Sequence, residues 1–361
     1  MRRHIDYPLL ILALILTAAG LLVVSSASVV VSQDQYGSPY GYLKHQAFSA
    51  LVGLAALAAA QATPYRWYRR LALPLLVVSL GLVAAVFLPG IGVTVKGAAR
   101  WLDLGPITFQ PSELLKLSLI LYLASWLDRK KGQAKAFGTA FVPFLIIIGI
   151  VGTLLALQPD IGTLVVVAGS AATLYFLGGG RLSQLTAFAG LAAGALWFVV
   201  QLAPYRVARL LVFRNPELDP EGVGYHISQA LIAIGSGAFF GRGFGQSIQK
   251  FNYLPEPAGD SVFAVIVEEF GLAGALILTA LFFAFLLRAV AIARRAPDFF
   301  GKLLAAGLAS AITLQAVVNM AAISGLLPLA GVPLPFVSFG GSSLVVTLAM
   351  VGIMLSVSKH T

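Results

Sequence analysis

The chain has no cysteine among its 361 residues, which removes disulfides and thiolate metal ligands at once. Charge is also scarce. Only 11% of the residues are Asp, Glu, Lys or Arg, against 59% that are hydrophobic, a balance that cannot clothe a soluble globule in polar surface. Strand-length alternating segments of the outer-membrane barrel type are missing, so α-helices are the one way left for a spanning backbone to satisfy its polar groups. Histidine is limited to His4, His45, His226 and His360, no two of them at helical metal-ligand spacing, and no zinc site is expected. No Gly-x-Ser-x-Gly elbow occurs, and Gly241-Arg242-Gly243-Phe244-Gly245 lacks the Gly-Lys-Ser/Thr ending of a phosphate-binding loop.

What the sequence has instead is a series of apolar stretches, near 8–31, 43–60, 71–88, 111–127, 139–158, 161–178, 182–203, 261–287, 303–325 and 338–357. Crossing about 30 Å of hydrocarbon takes roughly 20 apolar residues. The expected fold is therefore an all-α integral membrane protein, a bundle of about ten transmembrane helices forming one polytopic domain over 1–361. The first stretch is too long for a cleaved secretory signal and reads as an uncleaved anchor. Most of the 24 basic residues, including Arg2, Arg66, Arg129, Arg181, Arg288 and Lys359, fall in alternate loops, which places those loops and both termini in the cytoplasm. The net charge of +10 is on this reading a topology signal, and the basic residues lack the interleaved aromatics of a nucleic-acid surface.

The longest connection, 204–259, then lies outside the membrane. Ile227, Leu231, Ile234 and Ala238 recur within it at helical spacing and predict an amphipathic helix resting on the membrane surface or folded back on the bundle. Breakers surround that helix, among them Asn215-Pro216, Asp219-Pro220, Gly241 and Pro255/Pro257.

Ionisable groups inside or beside spans are costly and thus candidates for function. Glu113 and Lys116, three residues apart at the outer end of the fourth span, form either a buried pair or a substrate-facing one. Asp160 fits an N-cap of the sixth span and adds a carboxylate to the same side. Arg100, Arg206 and Arg209 read as cations at the outer surface, snorkelling to lipid phosphates or clustering around a lipid-linked pyrophosphate. Asp260 stands where the long loop re-enters as the eighth span, as a helix cap or as a general base made a better proton acceptor by partial desolvation. Glu268 and Glu269 lie about two turns deeper, one of them placed to pair with a cation in the bundle. Ser338 and Gly340-Gly341-Ser342-Ser343 open the last span and suit close packing or ligand contact.

Several of these residues sit in longer segments: Lys96-Gly97-Ala98-Ala99-Arg100-Trp101, Phe109-Gln110-Pro111-Ser112-Glu113-Leu114-Leu115-Lys116-Leu117, Gln158-Pro159-Asp160-Ile161-Gly162-Thr163, Pro204-Tyr205-Arg206, Gly235-Ser236-Gly237, Tyr253-Leu254-Pro255-Glu256, Glu268-Glu269-Phe270-Gly271 and Pro333 to Ser343. In that order they resemble the SEDS family of FtsW, RodA and SpoVE, with Gly245-Gln246-Ser247-Ile248-Gln249-Lys250 nearer the division subtype FtsW. The resemblance implies a ten-helix peptidoglycan glycosyltransferase that polymerises lipid II outside the bacterial cytoplasmic membrane beside a class B penicillin-binding protein. Translocation of lipid II and a non-catalytic scaffold are the rival readings. By the same resemblance the family's essential loop aspartate maps onto Asp260, although many members place His-Thr before it and Phe-Ile after it, where this chain has Ala258-Gly259 and Ser261-Val262. Joined to the residue reading, this implies that Asp260 activates a sugar hydroxyl of lipid II for inverting attack on the growing, lipid-linked glycan strand. Arg100, Glu113, Lys116, Asp160, Arg206, Arg209, Glu268 and Ser338 are the expected substrate-binding residues. The sequence names no definite cofactor, and a divalent cation held by carboxylates could assist the leaving pyrophosphate.

Overall fold

The computed structural model describes residues 5–360 other than 96, 97, 104, 106, 107, 203 and 221, with the backbone alone at 94, 95, 98, 204, 205, 208 and 209. Its helices are α1 (Tyr7–Ala27), α2 (Val29–Tyr36), α3 (Gly41–Ala62), α4 (Tyr65–Ala85), α5 (Pro111–Arg129), α6 (Val142–Leu157, entered through a π-turn, Phe137–Phe141), α7 (Ile161–Leu177), α8 (Leu182–Gln201), α9 (Pro204–Arg214), α10 (Val223–Ser236), α11 (Val262–Arg295), α12 (Phe299–Ile323) and α13 (Gly341–Ser358). All ten expected spans are present as α1, α3–α8 and α11–α13. Among the described residues, eight are long and apolar enough to cross a membrane; α7 has 17 residues, and α5 carries Glu113, Lys116, Asp128 and Arg129.

Successive spans reverse direction. One end of the bundle collects Asp6 paired with Arg288 at 2.6 Å, Arg66 with Asp298 at 3.4 Å and Arg69 with Asp128 at 2.8 Å. The chain's first and last helices meet there, where the Asp6 amide donates to Ser358 Oγ. The candidate site lies at the other end, with α9, α10 and the starts of α5, α7, α11 and α13. The centre is α5, α12 and α13, since α5 buries 15 of its 19 residues and α12 and α13 are 67% and 83% buried, while α4 and α8, at 22% and 17%, form the rim. Small residues bring the centre together: a Cβ added at Gly352 of α13 would meet Leu57 O of α3 at 2.3 Å.

Three expectations change. The first apolar run is two helices, because α1 stops at Ala27 and α2 starts at Val29. Three strands, β1 (Gly92–Val95), β2 (Ala98–Asp103) and β3 (Thr108–Phe109), form a small antiparallel sheet, too short to show an alternating pattern. The third change is in α10. It buries Gly224, Ile227, Ala230 and Ala233 and leaves Leu231 exposed, while Ala238 lies beyond its end with φ 46°. Ile227 is buried with these small residues and Ile234 is half-buried, whereas Leu231 and Ile232 are exposed, so the buried stripe is rotated from the expected one toward small residues that allow close packing.

α11 is broken at Gly271, whose φ of 67° and ψ of −166° leave the helical region. The break removes the rungs from Leu272 and Ala273 to the carbonyls of Glu268 and Glu269. Segment 238–243 threads the gap and replaces them: Arg242 and Gly243 donate to those two carbonyls at 2.9 Å, and Leu272 and Ala273 donate to Ala238 and Phe239 at 2.9 and 3.0 Å. Four hydrogen bonds thus stand in for two, and the outer loop is sewn into the span.

Candidate active site

α11 begins at Val262 with Ser261 at its N-cap position making no capping bond, so Asp260 stands one residue outside the helix, half-buried. Three segments fix its backbone. Asn319 of α12 donates its amide at 2.8 Å to both Asp260 O and Val332 O; the Phe339 amide donates to Ala258 O at 2.7 Å; Ser261 N donates to Glu256 O at 3.3 Å. On its side-chain flank, a Cβ added at Gly331 would lie 3.9 Å from Oδ2. Ser261 Oγ lies 3.4 Å from Oδ1, 2.8 Å from Pro255 O and 2.6 Å from His226 Nε2 of α10.

Glu113 and Lys116 form a buried ion pair at 2.8 Å, 2% and 5% exposed. Lys116 also donates to Gln315 Oε1, and Gln315 donates to Pro333 O at 2.9 Å. Gln315 and Asn319, four apart on one face of α12, therefore carry a polar line from the ion pair through segment 332–333 to the Asp260 backbone. Asp160 is the N-cap of α7, accepting from Thr163 N at 3.2 Å and from Ser112 Oγ at 3.4 Å. The following turn presses on the same segment, since a Cβ at Gly162 would meet Ala330 O at 2.3 Å.

Arg100 and Arg206 meet at the C-terminus of α6. Arg206 donates to Ala156 O and to Val199 O of α8 at 2.9 Å each; Arg100 donates to Gln158 O at 3.1 Å and to Pro159 O. Both guanidinium groups complement a negative helix end and tie it to its neighbours. The side chain of Arg209 lies outside the described residues.

Glu268 and Ser338 both bond within the protein. Glu268 is fully buried and accepts from Ser247 Oγ at 2.5 Å, Ile248 N at 3.0 Å and Gln249 N at 3.3 Å, with Arg242 at 3.8 Å. It sits about 12 Å along the helix from Asp260. The cation expected near these acids comes from the outer loop: Lys250 pairs with Glu269 at 2.9 Å and spends its other two protons on Ser26 Oγ and Gly245 O, both at 2.8 Å. Ser338 Oγ accepts from Leu334 N at 2.7 Å and closes the turn before α13. Among the described residues no group of three or more His, Asp or Glu gathers to hold a metal ion.

Sequence reasoning missed Gln315, Asn319, Ser261 and His226. The first two carried a usable signal, two amides four apart in an otherwise apolar span. His226 carried none, because its partner is 35 residues away.

A polytopic helical membrane protein with a half-buried acid at the mouth of its bundle, held by a polar network reaching into two central spans, is the class that this architecture defines. The chain matches the family described as Cell cycle protein (FTSW_RODA_SPOVE) over residues 7–361 and belongs to that family. It is 40% identical over 355 residues to a protein of Geobacter sulfurreducens named probable peptidoglycan glycosyltransferase FtsW, covering 98% of this chain and 95% of that one. It is 38% identical to stage V sporulation protein E of Bacillus subtilis, over 99% and 97% of the two chains. Among solved structures, a chain from work on coordinated polymerization and crosslinking by a peptidoglycan synthase complex matches with a TM-score of 0.81 at 31% identity, over 98% of this chain and 97% of that one. An aspartate-to-alanine mutant of the rod shape determining protein RodA of Thermus thermophilus matches at 0.73 with 28% identity, over 98% and 97%.

Proposed function

We propose that this protein is a peptidoglycan glycosyltransferase that polymerises lipid II at the outer face of the bacterial cytoplasmic membrane, in division or elongation, with both termini cytoplasmic. The observation that carries the reading is the Asp260 carboxylate, half-buried at the loop-to-helix entry and held by α12 and segment 331–339 at the end of the bundle opposite the Arg66, Arg69 and Arg288 ion pairs. Relatives named peptidoglycan glycosyltransferase support it across the full chain.

In the proposed step, Asp260 takes the proton of a sugar hydroxyl on incoming lipid II as that oxygen bonds to the anomeric carbon of the growing strand. The bond from that carbon to the lipid pyrophosphate breaks, with inversion. The base ends protonated and the pyrophosphate leaves as an anion that needs positive charge nearby, not a proton donor. Arg100, Arg206 and Arg209 supply that charge. Lys116, neutralised by Glu113, supports the site through Gln315. Lipid tails lie between the rim helices, and a class B penicillin-binding protein is the proposed transpeptidase partner, in keeping with the synthase-complex neighbour.

The test is purified protein in liposomes supplied with lipid II and read for glycan chains and for head-group translocation, with Asp260→Asn alongside. Polymer from the wild type and not from the variant supports the reading. Translocation without polymer, insensitive to Asp260→Asn, defeats it in favour of a flippase; neither activity leaves a scaffold.

A further inference from the structure

Ser261 Oγ has one hydrogen and three polar neighbours: Pro255 O at 2.8 Å, Asp260 Oδ1 at 3.4 Å and His226 Nε2 at 2.6 Å. A carbonyl and a carboxylate accept only. His226 is therefore the one neighbour of the three able to donate to Oγ, which leaves the serine's own hydrogen for an oxygen of the Asp260 turn. His226 is also held on a rigid element. α10 packs on α11 and buries Ile227, Ala230 and Ala233, and its start is clamped, since a Cβ at Gly224 would meet Pro216 O at 2.1 Å.

We propose that His226 is a positioning residue for Asp260: by donating to Ser261 it leaves the serine's hydrogen for the Pro255 carbonyl at 2.8 Å, with Oδ1 at 3.4 Å as the weaker acceptor, and so closes the turn that presents the carboxylate with Oδ2 on the Gly331 side, where the sugar hydroxyl approaches. This rests on the reading of Asp260 as the base. The link runs through the serine hydroxyl, and its loss lets that hydroxyl turn away from the Asp260 turn, so that the carboxylate is less firmly placed to take the proton. Misplacement of a reacting group by about 1 Å costs on the order of a hundredfold in rate.

The experiment measures lipid II polymerisation by the full-length protein in liposomes for His226→Leu, His226→Gln, Ser261→Ala, the His226→Leu/Ser261→Ala double variant and Asp260→Asn. His226→Leu and Ser261→Ala are each expected to lower kcat about ten- to a hundredfold with KM within about twofold, the pattern of an interaction made for the chemical step. His226→Gln, whose amide can still donate, restores kcat to within about threefold, and the double variant is no slower than the slower single one. Wild-type kcat in His226→Leu, equal losses for Leu and Gln, or a rise in KM alone each overturn the inference. If His226→Leu does not fold, as judged by gel filtration and thermal midpoint, Ser261→Ala and His226→Gln decide: wild-type kcat in Ser261→Ala overturns the inference. Asp260→Asn separates the two claims: its inactivity beside a fully active His226→Leu removes the role of His226 alone, whereas its full activity removes the base and, with it, this inference.

Discussion

Replacing Lys116 by Met removes one half of an ion pair that is almost wholly out of solvent, with Glu113 2% exposed and 2.8 Å from the ammonium. Methionine keeps the volume of the stem, so the loss is electrostatic. A single charge stranded in the interior costs about 3–5 kcal/mol, and Gln315 Oε1 loses its donor as well, about 1 kcal/mol more. Since Gln315 also bonds the Pro333 carbonyl beside the segment that flanks Asp260, the instability is felt at the site. Glu113→Gln combined with Lys116→Met removes the stranded charge and is expected to recover most of the loss. The assay is unfolding by SDS titration in mixed micelles, followed by tryptophan fluorescence, with initial polymerisation rates on the same preparations. Stability and rate should fall in the single variant and return together in the double one. A Lys116→Met protein as stable as wild type, or a double variant no better than the single, would refute the view of Lys116 as a buried structural partner.

Gly271→Ala places a Cβ about where Gly241 N and Phe239 O now stand, 2.4 Å from each, at a φ of 67° that only glycine adopts without strain. Strain of about 1–3 kcal/mol plus the clash should expel segment 238–243 and expose the loop to limited proteolysis, and a protease-resistant variant would contradict the threading. Arg206→Lys should not replace the arginine, because one ammonium cannot reach two helix ends in a fixed fork; loss of thermal stability comparable to Arg206→Ala is expected, and full retention in the lysine variant would count against the bridge.

Composition and loop charge were enough for the class and for ten spans, because hydrocarbon thickness imposes its length on every crossing regardless of tertiary detail. Asp160 was legible as a cap and Glu113 with Lys116 as neighbours on one helix face, since both relations are local in sequence. The α10 face was only partly legible: Ile227 is buried as expected, but Leu231 is exposed, Ala238 lies beyond the helix, and Gly224, Ala230 and Ala233 complete the buried stripe, small residues that allow close helix packing. Contacts that depend on tertiary placement were out of reach. Lys250 meets Ser26 from 224 positions away, and Arg206 reaches Ala156 across 50, distances at which no spacing rule operates. Gly241 was legible only as a breaker and Gly271 only as part of a family segment, and the crossing of the two segments explains both.

The central claim is that the carboxylate at position 260 takes a proton during glycan elongation, and the isosteric Asp260→Asn substitution addresses it most directly, because the amide keeps shape and loses basicity. Single-turnover extension of a preformed lipid-linked strand, at saturating lipid II, should slow by about a hundredfold or more while lipid II still binds. An asparagine variant that extends strands within a few-fold of wild type would contradict the account.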